Sequence, residues 1–430
     1  MKLLTWLNRN TTRVTSFIIL IPIVLYYTWI IRFSVDCPQI DDFAVLLTSV
    51  ALQKANSFSE WCYYLFSFHN EHRIVVTRLV FIVLALFNEG FVNIKWVILT
   101  GNFALIGLVI LFFKASKTTQ NVTWYFLPVP FLLFQMQFFE NTFFAMASVQ
   151  NLGIWLGAGL TFWVLSGTQQ KNWLDKPFII GAILACITAL TSGNGILVFP
   201  IGIIIYLLKG DLKKTILWTG LTVIACVSYL KGLSVGQESK GVDLLKIAHG
   251  AFGYLGAFCG VSTYPILPAL IGFSLVLLAV ILNIHILPFV KGAVQSVSAR
   301  VQLFLVAFFA FLFLTACTIA IHRDLAAVMS TPRYKIASAL SLITIYLMLT
   351  NTVLPLVFKR FIGTGSSLIA IGFCLLTYLK MTPIVKEDKA LLLQSEHIFY
   401  QKTQGVQLAP VAFEQEWQRV IQAKIWRFPK

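Results

Sequence analysis

Long apolar runs with almost no charged residues recur along the chain, and they limit what it can fold into. The first, residues 16–33, contains a single charged residue, Arg32. Runs of about 20 apolar residues are long enough to cross a bilayer, and hydrocarbon forces them to be helical because it offers the backbone no hydrogen-bond partner. Only 12% of the 430 residues are charged, against about 25% in soluble domains. The sequence predicts an all-α polytopic membrane protein.

Eleven spans are predicted, and the charges between them indicate a topology. The spans are residues 16–33, 94–113, 122–138, 151–167, 177–192, 195–208, 215–232, 264–284, 301–321, 337–357 and 361–379. Lys2, Arg9 and Arg13 precede the first span and place the N-terminus in the cytoplasm, and eleven spans then place the C-terminus outside. Every loop then assigned to the cytoplasm carries lysine or arginine, as the positive-inside rule requires. The net charge of +16 is thereby explained by topology, and no nucleic-acid partner is expected.

We predict two regions, a transmembrane domain at residues 1–379 and a small outside appendage at residues 380–430. The first outside loop, residues 34–93, is the largest and concentrates acidic residues. Residues 74–88 are apolar enough to span, but Arg73 and Arg78 accompany them, and a span here would move the lysine loops outside. We therefore predict helices lying at the membrane interface at 43–56 and 60–90; a further span is the alternative.

Two polar clusters in this first loop are candidates for chemistry. Asp41 and Asp42 are adjacent carboxylates at a lipid–water boundary, where repulsion and lost hydration raise a pKa towards that of a general base. A helix N-cap is the structural alternative. The run His69-Asn70-Glu71-His72-Arg73 has residue types that bind metal, orient a substrate, or mark a solvated loop.

Three further clusters lie at predicted outer ends of spans. Gln135, Gln137 and Glu140 lie at or near the outer end of a span, and Asn141 and Gln150 follow them. Ionisable groups near membrane depth usually face a cavity or a partner; an interfacial loop is the alternative. Asn194 lies in a glycine-containing turn that suits helix breaking or approach of a substrate to backbone amides. Arg323, Arg333 and Tyr334 share one outside loop. Arginine's planar fork suits a phosphate, with lipid head groups as the alternative partner.

Taken together, these features resemble the GT-C superfamily of integral-membrane glycosyltransferases. Asp41-Asp42 stands where that superfamily places its acidic pair, and His69 to Arg73 stands where relatives keep a second loop motif. Residues 1–235 look like the lipid A aminoarabinose transferases in layout. The acidic pair, Glu71-His72-Arg73 and Pro332-Arg333-Tyr334 look like the serotype-converting O-antigen glucosyltransferases of bacteria and phages. The His-Pro-Pro motif of some relatives is absent.

The resemblance implies a membrane glycosyltransferase of the bacterial inner membrane whose active site faces the periplasm. The donor would be a sugar, glucose being expected, on polyprenyl phosphate such as undecaprenyl phosphate, and the acceptor a lipid-linked O-antigen of lipopolysaccharide. Asp41 or Asp42 would be the general base of an inverting displacement. Arg333, Arg73, Arg323 and Tyr334 would bind the donor phosphate, and Glu71, His72, Glu140, Asn141, Gln150 and Asn194 the acceptor or donor. No metal or other cofactor is expected; a divalent cation is the less favoured alternative.

Other functions remain open from the sequence. A transporter or flippase of a lipid-linked saccharide would place polar groups at mid-membrane in two related halves, whereas the charged residues here gather at one face. An O-antigen ligase or polymerase would also need outside arginines, but its large outside loop typically comes late in the chain. The sequence leaves the sugar, the linkage, the acceptor and the oligomeric state undetermined.

Overall fold

A computed structural model describes residues 2–116, 122–167, 174–233, 243–260, 266–284, 297–352, 355–406 and 412–428. Within these ranges the chain forms helices and connecting turns, and no β-strand. The described structure therefore agrees with the predicted all-α class.

The first half of the chain contains a long N-terminal helix, three helices in the first loop and a series of shorter segments. In order these are α1 (Lys2–Phe33), α2 (Asp41–Lys54), α3 (Phe58–Phe66), α4 (Val75–Leu86), α5 (Ile94–Ser116), α6 (Val122–Tyr125), α7 (Pro128–Leu133), α8 (Phe139–Phe143), α9 (Ala145–Ala147), α10 (Gly153–Leu165), α11 (Lys176–Ala189), α12 (Val198–Leu208) and α13 (Leu212–Leu230). A π-helical turn, Ser148–Leu152, joins α9 to α10, and a 3-10 turn, Gly193–Leu197, leads into α12.

The second half contains longer helices. These are α14 (Leu244–Gly256), α15 (Ile266–Asn283), α16 (Val297–His322), α17 (Leu325–Ser330), α18 (Lys335–Asn351), α19 (Leu356–Thr403) and α20 (Glu414–Gln422). Short 3-10 turns at Ala257–Cys259 and Pro332–Tyr334 follow α14 and precede α18.

Five of the described helices are long and apolar enough to cross a bilayer. The qualifying stretches are Arg13–Phe33, Ile94–Ser116, Ile266–Asn283, Ser298–His322 and Val357–Thr403. Shorter apolar helices occur at Val75–Leu86, Lys176–Ala189, Gly193–Leu208 and Leu244–Cys259. Several such helices in one chain indicate a membrane-embedded protein. The count of eleven spans stays a prediction.

Residues 122–138, predicted as one span, form two short helices, α6 and α7. Pro128 begins α7, and Pro130 follows within its first turn. Proline has no N–H to donate and restricts the residue before it, so a continuous helix is interrupted at this point. The side chains of α7 are nonetheless all buried, because the segment packs against α18 and α19 in the protein interior.

Helix α14 was not predicted. It packs closely against α15 and α16, and a Cβ at Gly272 of α15 would lie only 1.8 Å from the carbonyl oxygen of Phe252. Only glycine permits this approach of two helix backbones, as in small-residue contacts between membrane helices. The glycines at positions 250, 253 and 256 therefore serve helix packing.

The first loop folds as the three helices α2, α3 and α4. The twelve residues of α4 extend about 18 Å, which is shorter than the roughly 30 Å of bilayer hydrocarbon. Buried Leu52, Leu65 and Val75 pack together and join the three helices. Helices were predicted at 43–56 and 60–90; the first is found as α2, and the second stretch is divided into α3 and α4 by a turn. Their position at the membrane interface stays a prediction.

Helix α19 passes through the boundary predicted at 379/380 without a break. Its 48 residues extend about 72 Å, so its second half projects beyond the apolar span. The chain then returns to the first loop, where Phe43 of α2 lies 5.6 Å from the rings of both Phe413 and Trp417. The C-terminal appendage is therefore packed against the helix that carries the acidic pair.

Candidate functional site

Asp42 is completely buried at the start of α2. Its two carboxylate oxygens accept hydrogen bonds from the backbone N–H of Met146 at 2.7 Å and of Gln39 at 3.0 Å. Burial raises the pKa of Asp42 to about 7, although these two hydrogen bonds act in the opposite direction. The raised pKa expected for one member of the pair is found here, but the carboxyl group is enclosed and makes contacts that hold the loop to α9.

Asp41 is the accessible member of the pair. Its side chain is 35% exposed, and its Oδ1 lies 3.7 Å from Nε2 of His69, an ion-pair distance rather than a hydrogen bond. The imidazole of His69 beside it holds the pKa of the Asp41 carboxyl below its ordinary value, and the charge of Arg333 acts in the same direction. Asp41 is therefore an ionised carboxylate that a substrate can reach.

The polar run from His69 to Arg73 forms a tight turn. His69 and His72 exchange backbone hydrogen bonds of 2.8 and 2.9 Å, and Asn70 adopts a positive φ of 52°, which asparagine tolerates better than most residues. The turn directs His69 towards Asp41. His69 was not among the predicted site residues, although it lies in the run that supplied Glu71 and His72.

His72 belongs to a second group, packed against the glycine turn that precedes α12. A Cβ at Gly193 would lie 2.3 Å from Nδ1 of His72, so this glycine is needed for contact. Burial lowers the pKa of His72; Glu71 opposes that shift, and the charges of His69 and Arg323 add to it.

Among the described residues no group of three or more His, Cys, Asp or Glu side chains is arranged to hold a metal ion.

Arg73 is occupied by the protein itself. Its Nε donates to the carbonyl oxygen of Tyr229 at 2.9 Å and its Nη2 to that of Lys231 at 2.5 Å, while Nη1 donates to the carbonyl oxygen of Phe66. The guanidinium also lies 4.1 Å from the centre of the Phe68 ring. These contacts tie the first loop to the end of α13 and leave little of Arg73 for a phosphate.

Arg333 and Glu140 form an ion pair near the acidic pair. Nε of Arg333 lies 3.2 Å from Oε2 of Glu140, and the two side chains are 44% and 32% exposed. Asn141 donates to the backbone oxygen of Arg333 at 2.7 Å and accepts from Asn151 at 2.9 Å. Predicted residues from the first loop, α8 and the turn before α18 thus come together, although they are up to about 290 positions apart in sequence.

Three other predicted residues have partners away from this group. Gln150 is buried and donates to Ser192 at 3.2 Å, and Asn194 donates to Thr315 at 3.2 Å. The ring of Tyr334 packs 5.6 Å from that of Tyr254. These contacts join helices to one another, so the three residues have structural roles in this arrangement.

A cavity of about 180 Å³ opens beside the Arg333–Glu140 pair. Gln39 and Ile40, which immediately precede Asp41, form one side, and Asp388 and Lys389 of α19 form another. Asp388 and Lys389 were not predicted as site residues, because the sequence marks them only as part of a short charged run, residues 386–389. A larger hollow of about 560 Å³ lies at the C-terminal tail, beside the Lys402–Glu414 ion pair, and no predicted site residue lines it.

Comparison of the chain with models of protein families, with curated proteins and with solved structures finds no match.

Proposed function

We propose that this protein is a membrane-embedded glycosyltransferase that moves a sugar from a polyprenyl-phosphate donor to a lipid-linked glycan. The observation that carries the proposal is Asp41, an ionised and accessible carboxylate that lies 3.7 Å from His69 and feels the charge of Arg333. The proposal includes the predicted orientation in a bacterial inner membrane, with eleven spans, a cytoplasmic N-terminus, and the site and C-terminus in the periplasm.

In the proposed reaction Asp41 is the general base. The acceptor hydroxyl oxygen attacks the anomeric carbon, the bond from that carbon to the phosphate oxygen breaks, and polyprenyl phosphate leaves with the bonding electrons. The hydroxyl proton passes to Asp41 as the new bond forms. A carboxylate with a lowered pKa is a weak base, but it is fully ionised at neutral pH and takes the proton as the acceptor oxygen loses electron density. A single displacement inverts the anomeric centre.

Charge develops on the leaving phosphate, and Arg333 is the cation assigned to stabilise it. Glu140 holds the Arg333 side chain through Nε, and Asn141 holds its backbone oxygen. Arg73 is assigned a positioning role because its guanidinium binds three backbone carbonyls. Glu71 and His72, which belong to the turn that contains His69, are assigned to the acceptor side together with Arg323, whose charge acts on His72. The reaction needs no metal ion in this scheme.

The test compares Asp41→Asn with Asp324→Asn in cells that display a candidate O-antigen. Asp324 is a matched control because its side chain is 89% exposed and pairs only loosely with Lys246, at 3.8 Å. General bases contribute about 10²–10⁴-fold to rate, so Asp41→Asn should lower sugar transfer by at least about 100-fold while Asp324→Asn transfers normally. Mass spectrometry of the glycan measures transfer, and immunoblotting checks the membrane level of each variant. Normal transfer by Asp41→Asn would overturn the proposal and favour a transporter of lipid-linked saccharide.

A further inference from the structure

The cavity beside Arg333 lies where the first span ends. Phe33 is the last residue of the apolar stretch that begins at Arg13, and Phe33 and Val35 both line the cavity. A second wall is formed by Val385, Asp388, Lys389 and Leu392 of α19. Val385 and Leu392 are each three or four residues from Asp388 and from Lys389, so the four positions lie along one side of the helix. The cavity is therefore at a membrane boundary, between α1 and the projecting half of α19.

Two basic side chains, Lys389 and Arg333, line this cavity, and a third, Arg32, lies next to it. Nζ of Lys389 lies 2.8 Å from the backbone oxygen of Arg32 and 6.0 Å from the centre of the Phe33 ring. The guanidinium of Arg32 lies 5.5 Å from the same ring. Arg333 also lines the cavity, and apart from its Nε bond to Glu140 its guanidinium makes no hydrogen bond to the described residues. Glu140 and Asp388 are the carboxylates in the lining, and Glu140 is already paired.

The rest of the lining is suited to an apolar chain. Eight of the thirteen lining residues are apolar, and four of these are phenylalanines. The volume of about 180 Å³ is below the roughly 300–1,000 Å³ of sites that enclose a whole drug-sized ligand. It accommodates a small head group and the first part of a chain, with the remainder of the chain in the bilayer beside α1.

We propose that this cavity binds the phosphate head group of an isoprenoid lipid, with Lys389 and Arg333 as its ligands. The inference rests on the proposed function, since it gives the donor's phosphate a second cation and a definite place. It also explains Arg32, Lys389 and Arg333 together. In the proposed orientation they lie at the outer boundary, where lysine and arginine are under-represented unless an anion is bound. Ammonium and guanidinium groups both form charge-assisted hydrogen bonds to phosphate oxygens.

Binding of farnesyl phosphate to the purified full-length protein tests the proposal without any transfer reaction. Intrinsic tryptophan fluorescence in detergent gives the Kd for the wild type, Lys389→Gln, Lys389→Arg and Lys386→Gln. Lys386 is an exposed lysine on the same helix outside the cavity, so its replacement removes the same charge. We expect Lys389→Gln to raise the Kd about tenfold, equivalent to about 1.4 kcal/mol. Lys386→Gln should leave it unchanged, and Lys389→Arg should stay within about threefold of the wild type because it keeps a donor and a charge.

Three further ligands identify the source of the phosphate. Farnesol keeps the chain without the charge, inorganic phosphate the charge without the chain, and phosphatidylglycerol is an ordinary anionic lipid. Weaker binding of all three than of farnesyl phosphate supports the proposal. Equal binding of farnesol or of phosphatidylglycerol overturns it, as does an equal effect of Lys386→Gln and Lys389→Gln. Asp41→Asn removes a negative charge that interacts with Arg333 and so should not weaken farnesyl phosphate binding, which makes loss of transfer in that variant and loss of binding at Lys389 separate results.

Discussion

Asp41 and Asp42 differ in environment although they are neighbours in sequence. Asp42 is enclosed and bonded to the amides of Met146 and Gln39, whereas Asp41 reaches the surface beside His69. Two consecutive residues at the start of a helix point in directions about 100° apart, so one side chain enters the core while the other faces the site. Burial therefore raises the pKa of Asp42, whereas the neighbouring His69 and the charge of Arg333 lower the pKa of Asp41.

The raised pKa of Asp42 predicts a particular pH dependence of stability. In the unfolded chain this carboxyl has a pKa of about 3.9, and in the folded protein about 7. Between these values the folded state holds a proton that the unfolded state has lost, so the free energy of unfolding falls as pH rises towards 7. The slope from one such group is at most about 1.4 kcal/mol per pH unit. Asp42→Asn cannot titrate and should lack this component.

Thermal unfolding in detergent at pH 5, 6, 7 and 8 measures the effect. Asp42→Asn is expected to be less stable overall because its NH2 group replaces one of the two oxygens that accept from backbone N–H groups and is itself a donor, so the comparison uses the slope with pH. The wild type and the exposed control Asp324→Asn should lose stability more steeply than Asp42→Asn between pH 5 and 7. Parallel curves for all three proteins would contradict a raised pKa at Asp42.

The acidic pair could be found from the sequence, but its division of roles could not. Adjacent aspartates after an apolar run are visible in any reading of residues 34–43. The burial of Asp42 depends on the Met146 amide, 104 positions away, and the partner of Asp41 depends on a turn in which His69 rather than His72 faces the acid. These facts are set by tertiary packing, which a single sequence does not contain.

At the scale of single elements, the contacts of Arg78 explain why the apolar stretch 74–88 contains an arginine. Its Nη1 donates to the carbonyl oxygens of Tyr64, Leu65 and Ser67 at 3.1, 2.8 and 2.7 Å. The last carbonyls of a helix have no intrahelical partner, and a cation there also meets the negative end of the helix dipole. Arg78 therefore caps α3 from within α4. Burial lowers the pKa of Arg78 to about 10, so it keeps its charge at neutral pH.

Arg78→Met should release the end of α3. The change removes a charged donor from three carbonyls and leaves the apolar volume nearly intact, and hydrogen bonds to charged groups contribute about 1.5–3 kcal/mol each. We expect a loss of about 3 kcal/mol in the free energy of unfolding and faster hydrogen exchange in residues 58–67. Lys54→Met, at an exposed lysine in the last turn of α2, should change neither. Unaltered exchange in Arg78→Met would show that α3 does not need this cap.

Elements with strong local signals were predicted better than those made by packing. The helix predicted at 43–56 is found as α2, and the stretch predicted at 60–90 contains two helices, α3, which Ser57 caps, and α4, separated by the turn at 67–74. Their placement at the membrane interface stays a prediction. Helix α14 was missed because its glycines suggest a loop. These glycines allow the close approach of the α14 and α15 backbones, and that role is visible only once the two helices are packed together. One continuous helix was predicted at 122–138, but Pro128 and Pro130 divide this stretch into α6 and α7.

At the scale of the whole molecule, the C-terminal segment closes the fold onto its beginning. Phe413 and Trp417 enclose the ring of Phe43, and the backbone N–H of Val92 donates to the oxygen of Ile425 at 2.7 Å. Arg427 lies 3.5 Å from Glu89. The sequence showed a less apolar tail after residue 380 and suggested an appendage. It could not show where the tail docks, since the contacts join residues more than 300 positions apart.

This docking predicts that the tail holds the acidic pair in place. Trp417 is 3% exposed, and its replacement by alanine removes the aromatic wall behind Phe43, the residue next to Asp42. Trp→Ala changes in a core lower the free energy of unfolding by about 3–5 kcal/mol. Here the lost contacts include those between α20 and α2. We therefore expect Trp417→Ala to speed hydrogen exchange in residues 41–54 and to lower sugar transfer, with α5 unaffected. Trp96→Ala is the control because Trp96 is 60% exposed. If Trp417→Ala leaves exchange in residues 41–54 at the wild-type rate, α2 is held by its contacts with α3, α4 and α9, and the tail has no part in positioning Asp41.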